Sequence, residues 1–112
     1  MSGLATDVFR SLGPGDAVPN NFVAPFYLED RKLRISVARV NRRLYAFDDL
    51  CTCAIHGACP LSGGMLTGTT IMCQCHGSRF DLTTGAVVNG PATAPLKTYE
   101  VQEVEGHIRI RV

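Results

Sequence analysis

Apolar and polar residues alternate along much of the chain, and this two-residue period is typical of a β-strand with one buried face. Apolar residues occupy every second position over residues 22–28, and Leu33, Ile35 and Val37 alternate with polar neighbours. A third strand is predicted from Leu44, after a polar turn. Near the end of the chain, residues 99–102 and 108–112 alternate on either side of a turn at Glu105. The pattern therefore predicts antiparallel hairpins in both terminal parts of the chain.

The middle of the chain, residues 48–96, is rich in glycine and proline and shows only two short strand-like runs, at residues 69–72 and 86–88. Such a segment has too little apolar pattern to hold its own shape. A chain of 112 residues suits one domain. We therefore predict a single all-β domain over residues 1–112, an antiparallel β-sandwich or partly open barrel. A loop-rich subdomain, over about residues 48–84, is inserted in this β base.

Composition excludes several classes of protein. The chain is 46% apolar and 19% charged, as in globular proteins, and its net charge of +1 is too balanced for a nucleic-acid binder that works by bulk charge. No apolar run approaches the length of about 18 residues needed for a membrane span, and no signal peptide pattern is present. The sequence predicts a soluble, cytoplasmic protein.

Five cysteines form two groups in the loop-rich segment, and none occurs in the first fifty positions. The groups are Cys51, Cys53 and Cys59, then Cys73 and Cys75, with His56 and His76 inside them. An odd count excludes a pure disulfide framework. Thiolate and imidazole groups favour zinc or iron–sulfur centres over calcium or magnesium. The sequence therefore predicts a metal centre that holds these loops.

The region from Tyr45 to Tyr99 resembles the Rieske [2Fe–2S] proteins. The resemblance is carried by the spacing Cys-x-x-His-Gly-Ser-x-Phe-Asp from Cys73, by a Cys–His loop about sixteen residues earlier, and by the Thr-Gly and Gly-Pro-Ala motifs at residues 84–85 and 90–92. In that family, two cysteines bind one iron and two histidines bind the other. The resemblance implies an all-β fold and a [2Fe–2S] cluster.

The same resemblance implies roles for individual residues in the second loop. Cys73 matches a ligand of the inner iron and His76 a ligand of the outer iron. Cys59 and Cys75 match the disulfide that ties the two loops together in the high-potential members. Ser78 matches a residue that donates a hydrogen bond to a cluster sulfur.

The first loop departs from the family pattern, in which the ligands are spaced Cys-x-His. Here Cys51 and His56 are separated by four residues, one of which is Cys53. The preceding residues favour Cys51 as a ligand and the following residues favour His56. The alternatives are that Cys53 replaces the histidine beside Cys51, or that Cys53 and His56 form the pair. We favour Cys51 with His56, together with Cys73 and His76.

No catalytic set accompanies the metal motif: the sequence contains no Ser-His-Asp order and no glycine-rich phosphate loop. We therefore expect an electron-transfer protein and not an enzyme. The small family members that lack a membrane anchor pass electrons from a flavoprotein reductase to a terminal oxygenase, and the resemblance implies this role. One alternative is an electron-transfer subunit of a larger respiratory or molybdenum oxidoreductase. The other is a zinc-stapled interaction module without redox function.

Overall fold

The computed structural model describes residues 9–52 and 59–111, and almost all its regular structure is β-strand. The ten strands are β1 (Phe9–Pro14), β2 (Phe22–Leu28), β3 (Leu33–Val40), β4 (Arg43–Asp48), β5 (Met65–Thr67), β6 (Thr70–Met72), β7 (Arg79–Asp81), β8 (Val87–Asn89), β9 (Thr98–Val104) and β10 (His107–Arg111). In these two ranges the helices are single 3-10 turns, at Gly15–Ala17 and Leu61–Gly63, and no helix could span a bilayer.

Six strands form a base sheet in the order β1-β10-β9-β4-β3-β2, and every neighbouring pair is antiparallel. The predicted hairpins are all present. Leu28 lies opposite Leu33 across the first turn, and Val104 lies opposite His107 across the last. Two-residue alternation therefore identified these strands, because at least one face of each packs against a core.

The base sheet curls until its two edge strands approach each other. A Cβ atom on Gly13 of β1 would lie 2.8 Å from the ring of Phe26 on β2, so a larger residue at this close approach would require the ring to move. Arg10 of β1 also forms an ion pair with Asp30, in the turn after β2. These contacts bring β1 and β2 together and produce a partly open barrel, which confirms the predicted all-β fold.

A smaller antiparallel sheet, β5-β6-β7-β8, follows the first cysteine group. β6 and β8 overlap the two strands predicted in this part of the chain, but β5 and β7 were missed. Each of these strands has three residues, too few for alternation to stand out from the surrounding glycines. Their pairing partners determine them: Leu66 lies opposite Ile71, and Ile71 opposite Phe80.

Two apolar cores lie on opposite faces of β3 and β4. Ile35, Val37 and Ala46 pack into the base core, whereas Ala38 and Phe47 face the smaller sheet. The second core is completed by apolar side chains from the loop-rich segment: Leu61, Ile71, Phe80, Leu82, Ala92 and Leu96, with Cys51 and Cys73. The loop-rich segment thus packs into a core that it shares with Ala38 and Phe47 of the base sheet. This core extends to Leu96.

Candidate metal centre

The first cysteine loop leaves the base sheet after β4 and returns antiparallel to itself. The N–H of Cys51 donates to the carbonyl of Cys59 at 2.9 Å, and Leu50 forms an isolated bridge with Pro60. The N–H of Leu61 donates to the carbonyl of Asp49 at 2.5 Å. Backbone pairing therefore holds both ends of this loop. Cys53 and His56 lie outside the described residues.

The second loop joins β6 to β7 and is closed in a similar way. The N–H of Cys73 donates to the carbonyl of Ser78 at 2.8 Å, and the N–H of Gly77 donates back to the carbonyl of Cys73 at 2.9 Å. Gly77 has φ +81°, a left-handed conformation that favours glycine, which explains the glycine after His76. Cys73 is fully buried and His76 is partly exposed, so the loop presents a thiol inward and an imidazole near the surface.

The two loops are joined through sulfur. Cys59 and Cys75, sixteen residues apart, form a disulfide, the pair that the family resemblance implies. The sulfur of Cys73 lies within 4.8 Å of both disulfide sulfurs. Because a sulfur in a disulfide has no thiolate, Cys73 is the one member of this group that can bind a metal. Cys51, the other described cysteine outside the disulfide, is also buried in the second core.

Asp49 anchors the first loop to the base sheet. Its fully buried carboxylate accepts hydrogen bonds from the Nε and a terminal nitrogen of Arg34, at 3.1 and 2.8 Å, and from the hydroxyl of Ser36 at 2.6 Å. It also accepts one from the N–H of Ser62 at 2.8 Å. Burial by itself raises the pKa of Asp49, but the hydrogen bonds from Ser36, Arg34 and Ser62 outweigh it and leave the pKa below its usual value. The group is therefore an ionised carboxylate that connects β3 to both ends of the loop.

A third loop, residues 90–96, packs beside the two cysteine loops. The N–H of Ala92 donates to the Oγ of the fully buried Ser78 at 3.0 Å. The hydroxyl of Thr52 donates to the carbonyl of Ala94 at 2.6 Å. The Ala92 contact reaches the second cysteine loop and the Ala94 contact reaches the first, so residues 90–96 support both loops.

Comparison with known proteins identifies this arrangement. The family model of the Rieske [2Fe–2S] domain matches residues 11–100, which is most of the chain. The chain belongs to the Rieske [2Fe–2S] family. The cofactor of this Rieske protein is therefore a [2Fe–2S] cluster, as the cysteine and histidine motif predicts, and the zinc hypothesis is not supported.

Similar proteins are small ferredoxins of oxygenase systems. The ferredoxin component of a naphthalene 1,2-dioxygenase system from Pseudomonas aeruginosa is 38% identical over 89 residues, which cover 80% of each chain. Ferredoxin CarAc of Metapseudomonas resinovorans is 40% identical over 76 residues, or 68% of each chain. The structure of the Sphingomonas yanoikuyae B1 ferredoxin superposes with a TM-score of 0.82 and 32% identity, covering 92% of this chain and 97% of that one.

The described residues suit such a cluster. Two thiols, those of Cys51 and Cys73, are buried in one apolar core, where a metal–thiolate group is shielded from water. His76 lies on the same loop as Cys73, and the disulfide holds the two loops side by side. Soft thiolate and imidazole donors are the ligands that Rieske centres use.

Two features of the site were not predicted as such. The first is Asp49: a charged residue two positions before the buried Cys51 indicates that a buried partner is needed, but it does not identify that partner. The second is Met65, an apolar side chain that is 59% exposed. No local pattern in the sequence distinguishes these outcomes, since both depend on which loop lies beside which strand.

Proposed function

We propose that this Rieske ferredoxin carries single electrons from a flavoprotein reductase to a terminal oxygenase. The observation that supports it most directly is the pair of disulfide-linked loops that place Cys73 in the core and His76 near the surface. The bound cluster supplies a reversible one-electron step. The chain's residues hold it beneath a surface at which a partner can receive the electron. The relatives are ferredoxin components of dioxygenase systems, and a structure similar to this chain is that of a ferredoxin with its oxygenase in carbazole 1,9a-dioxygenase, at 29% identity and a TM-score of 0.79.

We further propose that residues 1–112 act as one domain in the cytoplasm. The alternative role, as a subunit of a larger respiratory or molybdenum oxidoreductase, has the disulfide in its favour, since the high-potential members share it. The similarity to dioxygenase ferredoxins favours the oxygenase role.

The proposed ligands are Cys51 and Cys73 for the inner iron, and His56 and His76 for the outer iron, with Cys53 as the alternative to His56. Burial of Cys51 and Cys73 in the same core supports the first pair. Ser78 is proposed to donate to a cluster sulfur. In support, the N–H of Ala92 already donates to its Oγ, so the hydroxyl proton is left for a further acceptor.

Reconstitution tests the function. The purified holoprotein should show a Rieske-type absorbance and EPR spectrum, and it should restore naphthalene oxidation when it replaces the ferredoxin in a naphthalene 1,2-dioxygenase system supplied with reductase and NADH. Cluster-free protein is the control. A reduced holoprotein that keeps its electron in the presence of the oxidised oxygenase component would contradict the proposal.

Pulsed EPR on reduced protein grown with ¹⁵N-histidine tests the ligand set, because it counts the imidazole nitrogens bound to iron. We expect two bound nitrogens in the parent and in Cys53→Ser. His56→Ser should show a single bound nitrogen or lose its cluster. A parent spectrum with a single nitrogen, unchanged in His56→Ser and lost in Cys53→Ser, would assign the fourth position to Cys53.

A further inference from the structure

The charged residues of this chain lie almost entirely outside its loop-rich segment. Between residues 50 and 96 the sequence contains one basic and one acidic residue, Arg79 and Asp81, whereas the other nineteen of the 21 charged residues lie before or after this segment. The segment includes both cysteine loops, the smaller sheet and the third loop. The end of the molecule that holds the metal centre is therefore nearly uncharged.

An open groove of about 520 Å³ lies beside the metal centre and connects this end to the base sheet. It runs from Phe22 on β2 to Met65 and Met72 on the smaller sheet, and it reaches Gln74, which lies between two cysteines of the second loop. We call it the neutral groove, because none of the residues that line it is charged. Met65 and Phe22 are 59% and 49% exposed at its rim.

Grooves on the base sheet have a different character. One contains Asp16, Arg39 and Glu103, and another contains Glu105 and Arg109. A third, beside Tyr27, contains Lys32 and Asp48. Leu50, which precedes the first cysteine loop, also lines this third groove, and a groove on the smaller sheet that shares Met65 and Met72 contains Arg79. Among these grooves, the neutral groove is the one whose lining residues carry no charge.

We infer that the neutral groove is the docking surface for the electron-transfer partner, and that the partner inserts uncharged, apolar side chains into it. This inference rests on the proposed function and specifies the partner's surface. Two points support it. The groove is continuous with the second metal loop through Gln74, so a partner seated there lies against that loop. Its lining residues offer no charge to complement, and a charged group placed between them would lose water and find only Arg79, opposite Met72 on β7, as a neighbouring charge.

The inference has a consequence for how association with the partner responds to salt. Charged interfaces steer their partners, and their association slows as salt screens the charges. An apolar groove binds through burial of apolar surface, and methionine side chains such as Met65 and Met72 adapt to irregular partners. Association through the neutral groove should therefore be almost independent of ionic strength.

Electron exchange with chemically defined surfaces tests this inference. The holoprotein is placed on gold electrodes coated with alkanethiols that end in methyl, carboxylate or ammonium groups, and each exchange moves one electron between the gold and the cluster. We expect the largest exchange current on the methyl surface, with less than about a twofold change between low and high salt. Met65→Glu and Met65→Lys should each lower that current about tenfold, because either charge must be desolvated at the contact.

The matched controls are Val104→Glu and Val104→Lys. Val104 is 38% exposed at the end of β9, six residues along that strand from Thr98, which pairs with β4 beside the metal loops. These variants make the same charge changes away from the groove and should leave the methyl-surface current unchanged. All variants must retain the parent's cluster absorbance.

Several results would overturn the inference. One is a current that is largest on a charged surface and falls with salt; another is an equal loss in the Met65 and Val104 variants. Sedimentation of the holoprotein supplies a further test: a concentration-dependent dimer that Met65→Glu dissociates would show that a second copy of the chain occupies the groove. If the holoprotein shows a Rieske spectrum and passes electrons in the reconstituted oxygenase system but not to the methyl surface, the inference alone fails. If no Rieske spectrum is obtained, both it and the proposed function fail.

Discussion

Ser36 and Asp49 illustrate how a polar residue acquires its role from its surroundings. Ser36 belongs to the polar set of β3, between Ile35 and Val37, and alternation alone places it on the solvent side. In the structure it is fully buried and donates to Asp49 at 2.6 Å. A buried carboxylate is stable only when its lone pairs are satisfied, and the Ser36 hydroxyl, the Arg34 guanidinium and the Ser62 N–H satisfy them.

Replacement of Asp49 by asparagine keeps the size of the side chain and removes its charge. We expect Asp49→Asn to lower the free energy of unfolding by about 1.5–3 kcal/mol, because hydrogen bonds to a charged group are lost in a buried site. Asp30→Asn is the control. Asp30 is an exposed partner of Arg10, so this substitution should lower the free energy of unfolding by less than about 0.5 kcal/mol. Urea unfolding measures both values. Equal effects of the two variants would show that Asp49 is not an anchor.

Tyr99 offers a test of pH dependence at a single residue. Its hydroxyl donates to Asp48 at 2.5 Å, and burial, then the hydrogen bond and the negative charge of Asp48, raise its pKa above the ordinary value of a tyrosine. A raised pKa means that the folded state retains the proton longer than the unfolded state. The stabilisation is thus complete below about pH 10, the pKa of an unfolded tyrosine, and declines as pH rises above it.

We therefore expect Tyr99→Phe to be less stable than the parent by about 1 kcal/mol at neutral pH, with a difference that shrinks above about pH 10. Urea unfolding of both proteins over a series of pH values measures it. Tyr27→Phe is the control, because Tyr27 is largely exposed, and its substitution should produce no such trend. A Tyr99→Phe difference that stays constant into the alkaline range would contradict the assignment.

At the scale of elements, the hairpins of the base sheet follow from the sequence, whereas the short strands around the metal centre do not. β3 has eight residues and alternates over the first five, whereas β5 and β7 have three residues each and form because a partner strand lies beside them. The cysteine loops are closed by backbone hydrogen bonds at their bases, and the disulfide joins them further along. Their shape therefore depends on contacts between elements that are distant in sequence.

Removal of the disulfide should loosen these loops. In the double variant Cys59→Ser/Cys75→Ser, we expect the free energy of unfolding to fall by about 2–4 kcal/mol, since the closed chain between the two cysteines no longer restricts the unfolded state. Thermal unfolding with and without a thiol reductant measures this effect and provides its control. Reductant should destabilise the parent by a similar amount and leave the double variant unchanged. If reductant breaks the disulfide of the parent but leaves its thermal unfolding unchanged, the prediction is wrong.

At the scale of the whole molecule, β3 and β4 join two cores into one structure. Ala46 faces the base core with Ile108 and Ile110, and the neighbouring Phe47 faces the core that surrounds Cys51 and Cys73. The ring of Phe47 is fully buried, so the metal centre is attached to the base through it. This arrangement makes the base a rigid support for the metal loops.

Phe47→Ala tests that connection. We expect this substitution to lower the free energy of unfolding by about 3–5 kcal/mol, because a large cavity opens between the two cores. In the parent, we expect the loss of the cluster's visible absorbance to coincide with the loss of far-ultraviolet circular dichroism. In Phe47→Ala, the absorbance should be lost at a lower temperature than the circular dichroism. Val88→Ala serves as the control because that side chain is exposed, and both signals should remain together. A cost below about 1 kcal/mol would show that the ring does not hold the two parts together.

The sequence by itself determined the family, the cofactor and the hairpins of the base, because these depend on local features: two-residue alternation, and the fixed spacing of cysteine, histidine and glycine in the second loop. Tertiary structure alone decided which polar residues are buried and which apolar ones are exposed. Alternation describes one buried face per strand, yet the metal-bearing end covers the second face of β3, so Ser36 is buried. By the same geometry Met65 lies at the rim of the neutral groove, because the smaller sheet turns its opposite face, with Leu66, Ile71 and Phe80, toward the core. Burial results from the packing of segments distant in the chain, and no local pattern records it.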